Sequence, residues 1–139
     1  MNTFTRLSAI AVIVLGLVGL VFGILFITQA SSAEQAIADE IQPLTIAKVD
    51  PSYEAIKTNQ MALAMTEEPQ IQAGEAAPST MYNYLTVQRA SLGLVKTNIG
   101  LAAFVRSSGI INIIVGLGLI LAGVGLFKQT RSVAKIAAG

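Results

Sequence analysis

The side chains best suited to soft-metal chemistry in this chain are two methionines. Met61 and Met65 stand four residues apart among helix formers, so they share a helix face, with Glu67 and Glu68 close behind. Thioether sulfurs suit Cu(I), and a nearby carboxylate can help complete such a site. Ala62, Leu63 and Ala64 surround the pair, and methionine at helical spacing is far more often packing material. No metal site is therefore assigned, and copper handling stays as an alternative role. Neighbouring carboxylates also occur at Asp39/Glu40 and Glu67/Glu68. Adjacent residues on a helix or loop point apart, so neither pair is read as a general acid and base.

Other chemistry is scarce. The chain has no His, Cys or Trp, which removes the commonest metal ligands, the usual haem and iron–sulfur ligation and most nucleophile–base pairs. Its glycines lie inside apolar runs and form no phosphate-binding loop after a strand. The nine basic residues are too few and too scattered to bind nucleic acid. The expectation is a protein that is not an enzyme, with no catalytic residue, no cofactor and no small-molecule substrate.

The elements that carry these residues are easier to read. Hydrophobic residues make up 53% of the chain and charged residues 12%, about half the usual charged share. The deficit is local: no charge occurs between Arg6 and Glu34, or between Arg106 and Lys128. Each gap is long enough for the ~20 apolar residues that cross ~30 Å of hydrocarbon as a helix. The spacing predicts an all-α membrane protein, a helical hairpin with transmembrane helices at 7–28 and 108–127. Arg6, the first apolar run and the small residues Ala30–Ser31–Ser32–Ala33 also fit the outline of a secretory signal. The run is well beyond the ~7–15 residues of a signal core, so a retained anchor is expected.

Charge is sorted along the chain. Arg6, Lys128, Arg131 and Lys135 flank the spans with no acid among them, whereas all eight acids lie between the spans. Five bases accompany those acids, which leaves the middle at a net −3. Basic flanks favour the cytoplasm, so residues 1–6 and 128–139 are expected there and 29–107 outside the cell membrane. Without Cys, neither a disulfide nor lipidation reports the compartment.

Three helices are expected in that extracytoplasmic region. The first, 31–42, continues the first span through SSAEQAIADEIQ, which is rich in helix formers. Asp50-Pro51 signals the start of a second over 51–66, since Asp can cap and Pro fits a first turn. Glu68-Pro69 should end it, and 69–78 reads as a loop. In the third, 79–106, Leu85, Leu92 and Ile99 recur every seven residues, a coiled-coil-like seam interrupted by Gln88. Arg89 and Lys96, also seven apart, share a different face. Whether 106–109 kinks before the second span is not decided by these residues.

The spans carry the strongest interaction signal. Gly16, Gly19 and Gly23 mark the first, where Gly19 and Gly23 form a GxxxG match. Gly109, Gly116 and Gly123 recur every seven residues in the second, and Gly118 with Ala122 gives a small-xxx-small match. Lipid offers no hydrophobic drive for helices to associate, so close approach over small residues supplies packing energy. Asn112 lies on the Gly109–Gly116 stripe and either hydrogen-bonds across helices or meets water at headgroup level. Gly16, Gly19, Gly23, Gly109, Asn112, Gly116 and Gly123 are thus the expected helix-packing interface.

The outline resembles that of small extra subunits in multi-subunit membrane oxidases, monooxygenases and photosynthetic complexes, though no motif selects one family. The expected function is a non-catalytic accessory or structural subunit of a larger membrane complex. The expected partners are the lipid bilayer and either other integral membrane subunits or copies of the chain itself. A self-assembling homo-oligomer is the first alternative, and a copper-handling accessory protein of a membrane oxidase or monooxygenase the second.

Overall fold

A computed structural model describes residues 3–136, with side chains from 4 to 129. Met1, Asn2 and residues 137–139 of the expected tails lie outside it, as do the side chains of Arg131 and Lys135. The chain is all-helical, with α1 at Thr3–Glu40, α2 at Ile46–Gln72 and α3 at Thr80–Ile136. The helices contribute to two compact units. One comprises residues up to Ser32 with those from Ala103 onward, and the other comprises Ala33–Ala102.

In the first unit, α1 and α3 are each long and apolar enough to cross a membrane. Only 11% of the most apolar 18-residue window of either helix is buried. The core helix of a soluble protein would be mostly covered at such a stretch. Here large side chains such as Phe4, Leu15, Phe22, Ile114 and Leu121 point outward over half or more of their surface.

The second unit departs from the expected helix boundaries. The second helix spans 46–72, not 51–66, so Pro51 and Pro69 both lie inside it. Thr45 takes the N-cap position with extended backbone (φ −100°, ψ 153°), and its carbonyl accepts the Lys48 N–H at 2.8 Å. Starting there inserts Val49 into the interior, where it is fully buried. Pro51 then deprives only Ala47 of a helical donor, one turn from an end whose donors are open anyway.

At the other end Pro69 does not stop α2, because Gly74 provides a better terminator. Gly74 adopts φ +73°, its N–H donates to the Ile71 carbonyl, and the Glu75 N–H donates to the Gln70 carbonyl. This pair of bonds around a left-handed glycine is a Schellman cap. Residues 69–72, expected in a loop, are therefore helical.

The third helix begins at Thr80 and is capped by Ser79, whose Oγ accepts the Tyr82 N–H at 3.0 Å. It runs without a break through 106–109 and beyond, so the expected 79–106 helix and the second apolar run are one element. Ser107 fits the helix interior because its hydroxyl donates to the Ala103 carbonyl at 3.0 Å. The first helix is likewise continuous from the apolar run to Glu40, two residues short of the expected end at 42.

Candidate functional site

The small residues of the two apolar segments form two facing rows. A Cβ built on Gly16 would stand 2.6 Å from the Gly116 carbonyl oxygen and 2.7 Å from Ile120 Cγ1. On Gly23 it would meet the Gly109 carbonyl at 2.7 Å and Ile113 Cγ1 at 2.6 Å. The relation is reciprocal: a Cβ on Gly109 would meet Gly23 and Ile27, one on Gly116 would meet Gly16 and Leu20, and one on Gly123 would meet Ile13 and Ala9. Moving seven residues along one segment moves the contact seven residues back along the other, so the segments run antiparallel.

Four of these glycines are holes that an isoleucine side chain of the opposite segment fills: Ile120 at Gly16, Ile113 at Gly23, Ile27 at Gly109 and Ile13 at Gly123. At Gly116 the backbone itself closes the gap, through the Gly16 oxygen and the Leu20 nitrogen. A seven-residue period is the repeat that keeps one stripe of each helix facing its partner. No side chain larger than hydrogen fits at these positions without separating the backbones, since the atoms met include backbone oxygen and nitrogen. That close approach gains dispersion contacts over the full length of the rows, which is the form of packing energy open to helices in lipid.

Two of the expected interface residues differ from the rest. At Gly19 a Cβ would lie 3.5 Å from the Asn112 carbonyl oxygen, an ordinary contact. Asn112 is half-buried and comes to this pair through its backbone. Gly118 and Gly125 face open space, so the small-xxx-small match at 118–122 takes no part in the pairing within the chain. Reading only glycines also missed members of the rows. Ala9 and Ala30 stand seven residues before Gly16 and after Gly23, and both are buried. The signal was present as a seven-residue spacing of small residues of either type.

The second unit is held by polar contacts between α2 and α3. Tyr82, Arg89 and Lys96 recur every seven residues on α3 and each meets α2. The Tyr82 hydroxyl donates to Glu68 at 2.9 Å, and the Arg89 guanidinium donates to Gln60 Oε1 at 2.7 Å. Lys96 pairs with Asp50, lies 3.8 Å from Glu54 and sits 5.1 Å from the Tyr53 ring centroid. The hydrogen bond to Glu68 raises the Tyr82 pKa, with burial and the charges of Glu68 and Glu67 adding to it. The hydrogen bond to Asp50 raises that of Lys96; burial opposes the shift, and the charges of Asp50 and Glu54 and the nearby Tyr53 reinforce it.

The candidate chemical groups are drawn into this framework. Glu67 accepts the Ser79 N–H at 2.9 Å while Glu68 accepts from Tyr82, so the two carboxylates diverge to separate partners. Glu67 thereby does at the start of α3 what the third helical residue does in a capping box, but from the neighbouring helix. Met61 and Met65 line a cleft of about 250 Å³ with Gln60, Ala64, Glu68 and Arg89. Met65 is 76% exposed, and a guanidinium shares the cleft, which opposes a cation there. Among the described residues no three acidic side chains gather as a metal site. No protein-family model, curated protein or solved structure matches this chain.

Proposed function

We propose that this is an integral membrane protein with two spans and both termini in the cytoplasm. It acts as a non-catalytic structural subunit of a larger membrane complex. The observation that carries the reading is the apolar pair itself. Its inward rows are closed by glycine against backbone, and its outward faces present large apolar side chains to the surroundings. Apolar surface on that scale is stable only against lipid or another protein. The sorted charge supports the orientation, with basic residues at the flanks and the acids between them.

The polar unit supports the structural role. Several of its titratable side chains are engaged in a helix cap or in interhelical pairs: Glu67 at a cap, Glu68 with Tyr82, Lys96 with Asp50. A unit of this size buries little of its own surface and gains from a partner. Alkaline carbonate washing of membranes, followed by mass determination of the detergent-extracted native assembly, tests the reading. Retention in the membrane and a mass above that of one chain are expected. Release by carbonate would overturn the membrane assignment, and a monomer in mild detergent would overturn the subunit role.

A further inference from the structure

We infer that the outward face of α3 in the polar unit docks a second copy of this chain, α3 against α3, in parallel. The inference rests on the membrane reading above and names the partner that this face takes.

Val87, Leu94 and Leu101 recur every seven residues along α3 and are 67%, 63% and 57% exposed. They stand five residues on from Tyr82, Arg89 and Lys96, on the opposite side of the helix from that polar seam. Leu85, Leu92 and Ile99, the seam expected from sequence, are half-buried, whereas this second stripe stays exposed among the described residues. The proposed topology puts these residues outside the hydrocarbon, where lipid tails do not cover them. A row of large aliphatic side chains at heptad spacing is the surface that another helix covers.

Three features favour an identical helix as that cover. The positions beside the stripe, Ala90, Ser91, Thr97 and Asn98, carry no charge, so identical faces meet without repulsion. Copies inserted in one direction present α3 in parallel, and a parallel two-fold pair sets each stripe residue against its own counterpart. Counting on in sevens from Leu101 along α3 gives Ser108, Val115 and Ala122, with Gly118 and Gly125 interleaved. Nothing lies within 4 Å of a Cβ built on either glycine, so the same register offers small residues for close approach in the apolar part.

The absence of cysteine makes the test direct. Single-cysteine variants Val87→Cys, Leu94→Cys and Leu101→Cys are oxidised in intact membranes, with Met65→Cys as the comparison because it is the more exposed site. The expected result is a shift from monomer to disulfide-linked dimer at 87, 94 and 101, with Met65→Cys remaining monomeric. Adding Leu94→Glu to the Leu101→Cys variant should abolish the dimer, since two carboxylates would then face each other.

Equal crosslinking at position 65 would mean random collision and overturn the inference. Monomer at all three stripe positions, or a crosslink to a chain of different mass, would also overturn it and leave the membrane reading standing. Carbonate extraction of the same samples separates the two failures, because release from the membrane sinks the membrane reading itself.

Discussion

At the scale of single residues, the glycines of the two rows are not equivalent, and the distances rank them. A methyl group on Gly116 would lie 2.6 Å from a carbonyl oxygen that cannot rotate away, whereas one on Gly19 would meet its nearest neighbour at 3.5 Å. Gly116→Ala should therefore weaken the helix pair by about 1–3 kcal/mol, the usual range for overpacking. Gly19→Ala should leave it nearly unchanged. An SDS titration of the detergent-solubilised chain checks both, and equal losses would remove the distinction. The sequence pointed to these glycines by spacing, but it gave no view of what stands opposite. The ranking depends on the Gly16 and Asn112 carbonyls, which lie roughly a hundred residues along the chain from Gly116 and Gly19.

The Tyr82–Glu68 bond gives a prediction in pH at the same scale. The folded pKa of Tyr82 lies above its ordinary value of 10.0. The stabilisation from this bond is therefore fully present below the unfolded pKa and is lost as pH rises through the folded one. Following the tyrosinate absorbance should show one tyrosine titrating late. Glu68→Gln should bring that titration back toward the ordinary range. A titration curve identical in the two proteins would show that Glu68 does not hold Tyr82.

At the scale of elements, the helix ends decide what was legible. The uncharged runs made helices inevitable where they lie, because hydrocarbon or a protein core must satisfy every backbone group within the segment. Ends depend on competition between signals, and there the proline rule lost twice. Pro51 gave way to the burial of Val49, and Pro69 to the cap at Gly74. A glycine five residues beyond a proline was visible in the sequence, yet its left-handed turn is what makes it the stronger stop.

Two substitutions should show this strength. Gly74→Ala forces a left-handed alanine and should cost about 1–2 kcal/mol. Ser79→Ala removes the cap of α3 and should cost about 1 kcal/mol. Glu67→Ala opens the same N-terminus, so combining it with Ser79→Ala should give less than the sum of the two. Thermal unfolding followed by circular dichroism reads all three, and strict additivity would mean that Glu67 and Ser79 act separately.

At the scale of the whole molecule, the all-helical class was legible because charge is excluded from two long runs and sorted elsewhere. No reaction was legible in the sequence, and the neighbouring carboxylates that could have suggested one are drawn to separate partners. Glu67 and Glu68 close the junction of α2 and α3, and Met61 and Met65 border a cleft that holds an arginine. The proposed topology predicts that cysteines introduced at positions 3 and 135 are labelled from the same side of the membrane. A cysteine at 76, in the turn after α2, should be labelled from the other. Labelling of 3 and 135 from opposite sides would exclude a two-span hairpin.

The rows of small residues repeat with the same step on both segments, and this makes them a ratchet as well as an interface. Sliding one segment by seven residues would bring Gly16 opposite Gly123 and Gly23 opposite Gly116, so small residues would face each other again, while Phe127 would replace Ile120 at Gly16 and Glu34 would replace Ile27 at Gly109. Such a step is about 10 Å along the helix axis, a third of the hydrocarbon thickness. A shift short of that step would carry Ile13, Ile27, Ile113 and Ile120 off the glycines that receive them. Two things outside the rows then select the setting. One is the length of chain joining the segments, and the other is the bilayer, which would resist drawing Lys128 inward. The glycine rows fix how closely the two helices approach, and the lipid and the connecting chain fix which notch they rest in.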